Sequence, residues 1–144
     1  MSKYHNPAAT ADVILEKDNK ILLVQRKHPP FENLWALPGG HLDIYKETLE
    51  RCGCRELFEE TNLVVLPNDL ELVTVKSDPK RDPRDHYITH VYFAKKFKGT
   101  AKANDDAKNL EWFPLNNLPK MAFDHYEIIT KDYFSWREIY EKIN

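Results

Sequence analysis

Glu56, Glu59 and Glu60 stand at i, i+3 and i+4 in the run Arg55-Glu56-Leu57-Phe58-Glu59-Glu60. On a helix of 3.6 residues per turn they gather on one side. Like charges at that spacing weaken a helix by roughly 0.2–0.5 kcal/mol per pair. Such a cluster is either a well-solvated face or the oxygen-rich setting that holds a hard divalent cation. Leu37-Pro38-Gly39-Gly40 precedes it as a Gly-rich loop entering the same helix. Loop, helix and carboxylates together point to metal-assisted chemistry on phosphates.

The elements that must position this cluster can be read from the flanking pattern. The helix spans Glu47 to Glu60, with Leu49, Cys52 and Gly53 on one face and Leu57 on its flank. Gly in a helix interior costs about 1 kcal/mol against Ala, so Gly53 marks close packing of the helix onto a sheet. Ala11 to Glu16 and Lys20 to Gln25 are β-rich runs around Lys17-Asp18-Asn19, a hairpin signal. Arg26 to Asn33 reads as a loop broken by Pro29-Pro30, and Leu34 to Leu37 as a short strand. Leu63 to Leu66, Leu70 to Lys76, Tyr87 to Phe97 and Leu110 to Pro114 are further strand candidates. Residues 77–86 and Lys98 to Lys108 are loops. From Asp124, an N-cap candidate, to Ile143 an apolar stripe of Ile128, Ile129, Tyr133, Trp136, Ile139 and Tyr140 predicts a helix. Strands in mixed order around two helices predict an α+β fold, an α/β/α sandwich, in which Trp35, Trp112 and Trp136 belong to the core.

The 144 residues predict one domain spanning 1–144, with no internal repeat and no linker. A net charge of −2 gives no general attraction for nucleic acid. The apolar runs are far shorter than the ~20 residues of a membrane span, and the N-terminus lacks a secretory signal. Cys52 and Cys54 point in different directions on the helix and are poor partners for a disulfide. These features predict a cytoplasmic protein with neither nucleic acid nor membrane as partner.

Gly40, six residues, Glu47, seven residues, then Arg55-Glu56-Leu57-Phe58-Glu59-Glu60-Thr61-Asn62-Leu63 resembles the Nudix box. That box runs Gly, five residues, Glu, seven residues, Arg-Glu, apolar, any, Glu-Glu, any, Gly, apolar. Two positions depart from it. One extra residue lies between Gly40 and Glu47, so the loop bulges within His41 to Lys46. Asn62 stands where the box closes with Gly, and Asn is the next-best residue for a left-handed helix end.

The resemblance implies a Nudix-type mixed sheet flanked by helices. It makes Glu56, Glu59 and Glu60 the ligands of Mg²⁺, for which Mn²⁺ could substitute, with the Gly40 carbonyl as a candidate fourth. Arg55 can pair with Glu59 and Glu47, orienting those ligands; the plainer reading is an ordinary helix salt bridge. The general base is a box glutamate or a loop acid, Asp105 or Asp106, which otherwise are solvated turn residues.

Several short stretches extend the likeness to the ADP-ribose pyrophosphatases of the family. They include Gln25-Arg26-Lys27 with Pro30-Phe31, residues 77–84, Asp105-Asp106-Ala107 and Ala122-Phe123-Asp124-His125. The implied substrate is a nucleoside diphosphate linked to another moiety, foremost ADP-ribose. Arg26, Arg81 and Arg84 are candidates for its phosphates or ribose hydroxyls, against a reading as surface charge. Phe31 or Phe123 could stack on adenine, against a packing role. His125 reads as a helix-start residue without chemistry. A homodimer follows from the resemblance alone. The alternatives are a Nudix nucleoside triphosphate pyrophosphatase and a non-catalytic ADP-ribose sensor. Sensors of this kind carry a DNA-binding domain, for which 144 residues leave no room, and the intact carboxylates favour catalysis.

Overall fold

β1 (Ala8–Ile14) is buried on both faces from Ala11 onward. Val13 and Leu15 pack with Leu57 and Leu63 on one side. Ile14 packs with Ile128, Ile129 and Tyr133 on the other. One helix therefore lies on each face of the sheet, and the α+β sandwich expected from the sequence is present in the computed structural model, which describes residues 4–103 and 107–144.

The elements after β1 are β2 (Glu16–Lys17), β3 (Lys20–Arg26), β4 (Trp35–Ala36), β5 (Gly39–His41), α1 (Leu49–Thr61), β6 (Leu70–Lys76), β7 (Tyr87–Ala94) and β8 (Ala107–Pro114). The C-terminal helix starts as α2 (His125–Glu127), passes through a π-helical stretch (Ile128–Tyr133) and ends as α3 (Phe134–Ile143). One sheet has the order β5-β1-β7-β6, with β1 and β7 parallel. The other runs β2-β3-β4, with β8 also paired to β3. Trp35 and Trp136 pack on the core beside the C-terminal helix and Trp112 on the core beneath α1, as expected.

Several expectations need correction. The hairpin involves only Glu16–Lys17 against β3, in the register Glu16↔Ile21. Residues 11–14 belong instead to the other sheet, and the chain crosses between sheets at Leu15, whose carbonyl accepts from Leu22 N–H at 3.1 Å. Leu63 to Leu66 forms no strand, only an isolated bridge between Val64 and Lys98. Gly39-Gly40-His41 is β5, hydrogen-bonded to β1, rather than a loop. Tertiary pairing decides all three cases, and local propensity does not report it. Asp124 makes no side-chain cap at the C-terminal helix.

Gly53 confirms its sequence reading. A Cβ there would lie 3.2 Å from Val13 Cγ2 and 3.7 Å from Ala11 Cβ, so α1 rests directly on β1. Gly53→Leu is expected to lower stability by about 1–3 kcal/mol or more through overpacking, read as a lower denaturant midpoint. An unchanged midpoint would mean that α1 can lift away from β1 freely.

Candidate active site

Helix α1 carries the carboxylate cluster between two firm ends. Thr48 Oγ1 accepts from Arg51 N–H at 3.2 Å as the N-cap. Asn62 takes the left-handed conformation (φ 67°) at the C-terminus, and its N–H reaches Phe58 O. Asn thus performs the turn for which the box uses Gly.

The extra residue of the preceding loop is absorbed in a turn at its tip. Lys46 N–H donates to Asp43 O at 3.1 Å, while Asp43 N–H donates to Glu47 Oε2 at 3.0 Å. Tyr45, at φ 69°, points fully into solvent. The turn spans Asp43 through Lys46, while Gly40 lies against Glu56 and Glu47 pairs with Arg55 of α1.

Arg55 organises the acidic end. Its Nε and Nη2 make a two-pronged pair with Glu47, both at 2.8 Å. Nη1 reaches Glu56 Oε1 at 3.0 Å and both Glu59 oxygens at 3.2 Å. Nη2 also donates to His41 O at 3.1 Å. The Arg55 hydrogen bonds hold the Glu47 carboxyl down at about 2. Those same bonds, led by the one to Glu47, push the Arg55 guanidinium above its usual range. Glu56 is shifted upward, first by burial, with Arg55 opposing and Glu59 and Glu47 adding to the rise.

The two glycines of β5 are where carboxylates meet backbone. A Cβ on Gly40 would run into the Glu56 carboxylate, and one on Gly39 into the Asp12 carboxylate and the Ala11 carbonyl. Gly39 N–H donates to Glu60 Oε1 at 2.7 Å. Only a residue without a side chain allows carboxylates to lie this close to the strand.

These groups form one end of a cavity of about 510 Å³. The other end is cationic and aromatic. Arg26 lies 4.9 Å from the Phe123 ring centre, and Arg84 lies 5.7 Å from Phe123 and 5.4 Å from Tyr87. Asp82 grips Arg84 through Nε (3.0 Å) and Nη2 (2.7 Å). Arg26 donates to Pro30 O at 2.7 Å and, among the described residues, meets no carboxylate at ion-pair distance. Burial, then the neighbouring Arg84, lowers the pKa of Arg26.

Between the two ends lies a buried polar layer. Leu37 N–H donates to His125 Nδ1 at 3.0 Å, which leaves the proton of the neutral ring on Nε2, 3.4 Å from Asp12 Oδ2. Burial pulls the His125 imidazole down to about 4 and pushes the Asp12 carboxyl up to about 7, with Arg81 opposing the latter. Arg81 is itself held by Asp124 through Nε (2.9 Å) and Nη2 (2.6 Å), and its Nη1 donates to Thr89 Oγ1.

The structure therefore brings Gly40, Glu56, Glu59, Glu60, Arg26, Arg81 and Arg84 around one cavity, with Arg55 behind them. Phe31 does not line it; Phe123 does, and Phe31 backs that ring edge-on at 4.8 Å. Each nitrogen of Arg81 makes one hydrogen bond within the protein, to Asp124 or Thr89, so it also ties the 77–86 loop to the start of the C-terminal helix. Asp124 serves that tie instead of capping the helix. Asp105 lies outside the described residues. His125 opens α2, as expected, and its buried ring accepts from Leu37 N–H. Asp12, also in the cavity lining, shows in the sequence only as a lone charge inside the apolar run Ala11 to Leu15.

Among the described residues no three Asp, Glu, His or Cys side chains are drawn together at metal-ligand spacing. The carboxylates are turned toward Arg55 and Gly39. As chemistry the donor set still fits a hard cation, because it is all oxygen. One guanidinium also faces Glu47, Glu56, Glu59 and Asp43 together.

The NUDIX domain model matches residues 5–132. The chain belongs to the NUDIX family. This Nudix hydrolase is 51% identical over 134 residues to an ADP-ribose pyrophosphatase of Methanocaldococcus jannaschii, covering 93% of the chain and 77% of the relative. Its fold is similar to the NUDIX domain of Shewanella oneidensis NrtR complexed with ADP ribose (TM-score 0.79, 28% identity, 98% of this chain, 91% of that one). It is also similar to a bifunctional NMN adenylyltransferase/ADP ribose pyrophosphatase of Francisella tularensis complexed with AMP and a manganese ion (TM-score 0.79, 33% identity, 94% of this chain, 43% of that one). No helix among the described residues is long and apolar enough to cross a membrane.

The Glu47–Arg55 pair of this Nudix site sets a pH dependence. The Glu47 carboxyl is depressed from 4.5 to about 2, so the stability it contributes is fully present above about 4.5. It is lost as the pH falls through about 2. Glu47→Gln is expected to be less stable than wild type at neutral pH, with the gap narrowing below about 4.5. Denaturation midpoints measured across that range check the sign. A gap that widened in acid would contradict the pairing.

Proposed function

We propose that this Nudix hydrolase cleaves ADP-ribose with Mg²⁺, giving AMP and ribose 5-phosphate, and that Mn²⁺ can substitute. The observation that carries the reading is the lining of one cavity, which gathers Glu56, Glu59 and Glu60 with Arg26, Arg84 and Phe123. A diphosphate flanked by a ribose and an adenosine calls for that set of groups. The 51% identity to an ADP-ribose pyrophosphatase supports the same substrate.

Glu56, Glu59 and Glu60, with the Gly40 carbonyl, would hold the divalent cation. Bound there, it neutralises phosphate charge and makes water nucleophilic at neutral pH. Arg55 holds Glu56 and Glu59, and Gly39 N–H holds Glu60, so all three carboxylates are tethered beside the cavity and would turn from these partners to take up the cation. Arg26 and Arg84 bind anionic or hydroxyl oxygens, and Phe123, backed by Phe31, offers the apolar wall for the base. Water adds across the P–O–P bond, and its proton passes to a box glutamate or to Asp105. The same reading carries a homodimer in the cytoplasm, with no nucleic acid or membrane as partner.

The deciding assay offers purified protein Mg²⁺ with ADP-ribose, NADH, diadenosine polyphosphates, sugar nucleotides and nucleoside triphosphates in turn. Release of AMP and ribose 5-phosphate from ADP-ribose, abolished by chelation, is the expected result. Preference for a triphosphate, or ADP-ribose binding without turnover, would overturn it. Glu59→Gln and Glu60→Gln are each expected to lose orders of magnitude in kcat while keeping the wild-type melting curve. Near-normal rates in both would displace the metal from α1.

A further inference from the structure

Asp12 is a carboxylate in the middle of β1, 7% exposed, and it lines the cavity. Among the described residues no N–H or O–H group donates a hydrogen bond to it; His125 Nε2 stands 3.4 Å from Oδ2 without meeting the geometry of one. No fully buried side-chain nitrogen or oxygen lacks a partner among those residues. The unsatisfied acceptor of Asp12 is therefore one that the cavity reaches. A nearly buried carboxylate left without donors is costly, and so is a natural place for a ligand's donor.

The position of Asp12 says which donor. Its carboxylate lies against Gly39, whose N–H holds Glu60, at the inner edge of the acidic end. Beyond it come His125 and then Phe123, whose rings are 5.4 Å apart, and then Arg26 and Arg84. A nucleoside diphosphate laid along the cavity, diphosphate at the glutamates and base at Phe123, puts its ribose over Asp12. A carboxylate repels the phosphates and accepts from sugar hydroxyls.

We propose that Asp12 is a substrate-positioning residue: its free carboxylate oxygen accepts a hydrogen bond from a hydroxyl of the ribose between base and diphosphate. This rests on the ADP-ribose reading above. Gly39 is then required twice, to donate to Glu60 and to leave room for Asp12.

The test compares kcat/KM for ADP-ribose with that for analogues lacking the 2′- or the 3′-hydroxyl of the adenosine ribose, in wild type, Asp12→Asn and Asp12→Ala. Wild type is expected to disfavour at least one analogue by about ten- to a hundredfold, mainly in KM. Both variants are expected to lose that preference, so that removing the hydroxyl costs little once the carboxylate is gone. A purely structural role, a metal-ligand role or a general-base role would lower all substrates together and keep the wild-type preference, which overturns the proposal. Equal use of all three substrates by wild type overturns it without any variant, even if neither variant folds. No turnover of ADP-ribose by wild type would overturn the functional reading and this proposal with it.

Discussion

Arg55 bears the electrostatic constraint on which the site depends. Glu47, Glu56 and Glu59 would repel one another across a single helical turn and its entry loop, and one guanidinium answers all three. Its planar fork makes this workable, since three nitrogens on fixed bearings serve different carboxylates at once. The arrangement is unbalanced by design: the negative charge exceeds what Arg55 can neutralise. Such an excess suits a site whose remaining countercharge arrives from outside, because a fully neutralised cluster would have little to offer a cation.

The scaffold around Arg55 keeps these charges from relaxing away from one another. Helix α1 cannot lift because Gly53 seats it on Val13 and Ala11, and Cys52, Leu57 and Thr61 are buried behind it. Strand β1 cannot shift because Ile14 is clasped by the C-terminal helix on its other face. The glycines of β5 then admit Glu56 and Asp12 to the strand surface. Packing and electrostatics meet at the same few positions, and each limits what the other could do alone.

The far end of the cavity is held by another set of pairs. Arg81 with Asp124 ties the loop between β6 and β7 to the start of the C-terminal helix, and Asp82 fixes Arg84 within that loop. A Pro-rich polar stretch with no regular structure is thereby given a definite shape. Arg26, by contrast, is held by backbone carbonyls and makes no carboxylate ion pair among the described residues.

The sequence by itself determined the helix, its carboxylate side, the left-handed close at Asn62, the close packing at Gly53 and the two-sided sandwich. The first four are short-range matters of period, spacing or backbone freedom, legible within about two helical turns, and the sandwich follows from the order of elements along the chain. The tertiary structure alone decided that β1 leaves its apparent hairpin partner for another sheet, and that Gly39-Gly40 is a strand. It also decided that Asp124 answers Arg81 rather than capping a helix, that Phe123 instead of Phe31 faces the cavity, and that Asp12 and His125 meet below it. These outcomes join residues from Thr10 to His125 through pairings whose energies depend on partners distant in the chain. No local pattern carries that information, because the same residue types are equally stable as caps, turns or surface charge until a partner is brought within hydrogen-bond reach.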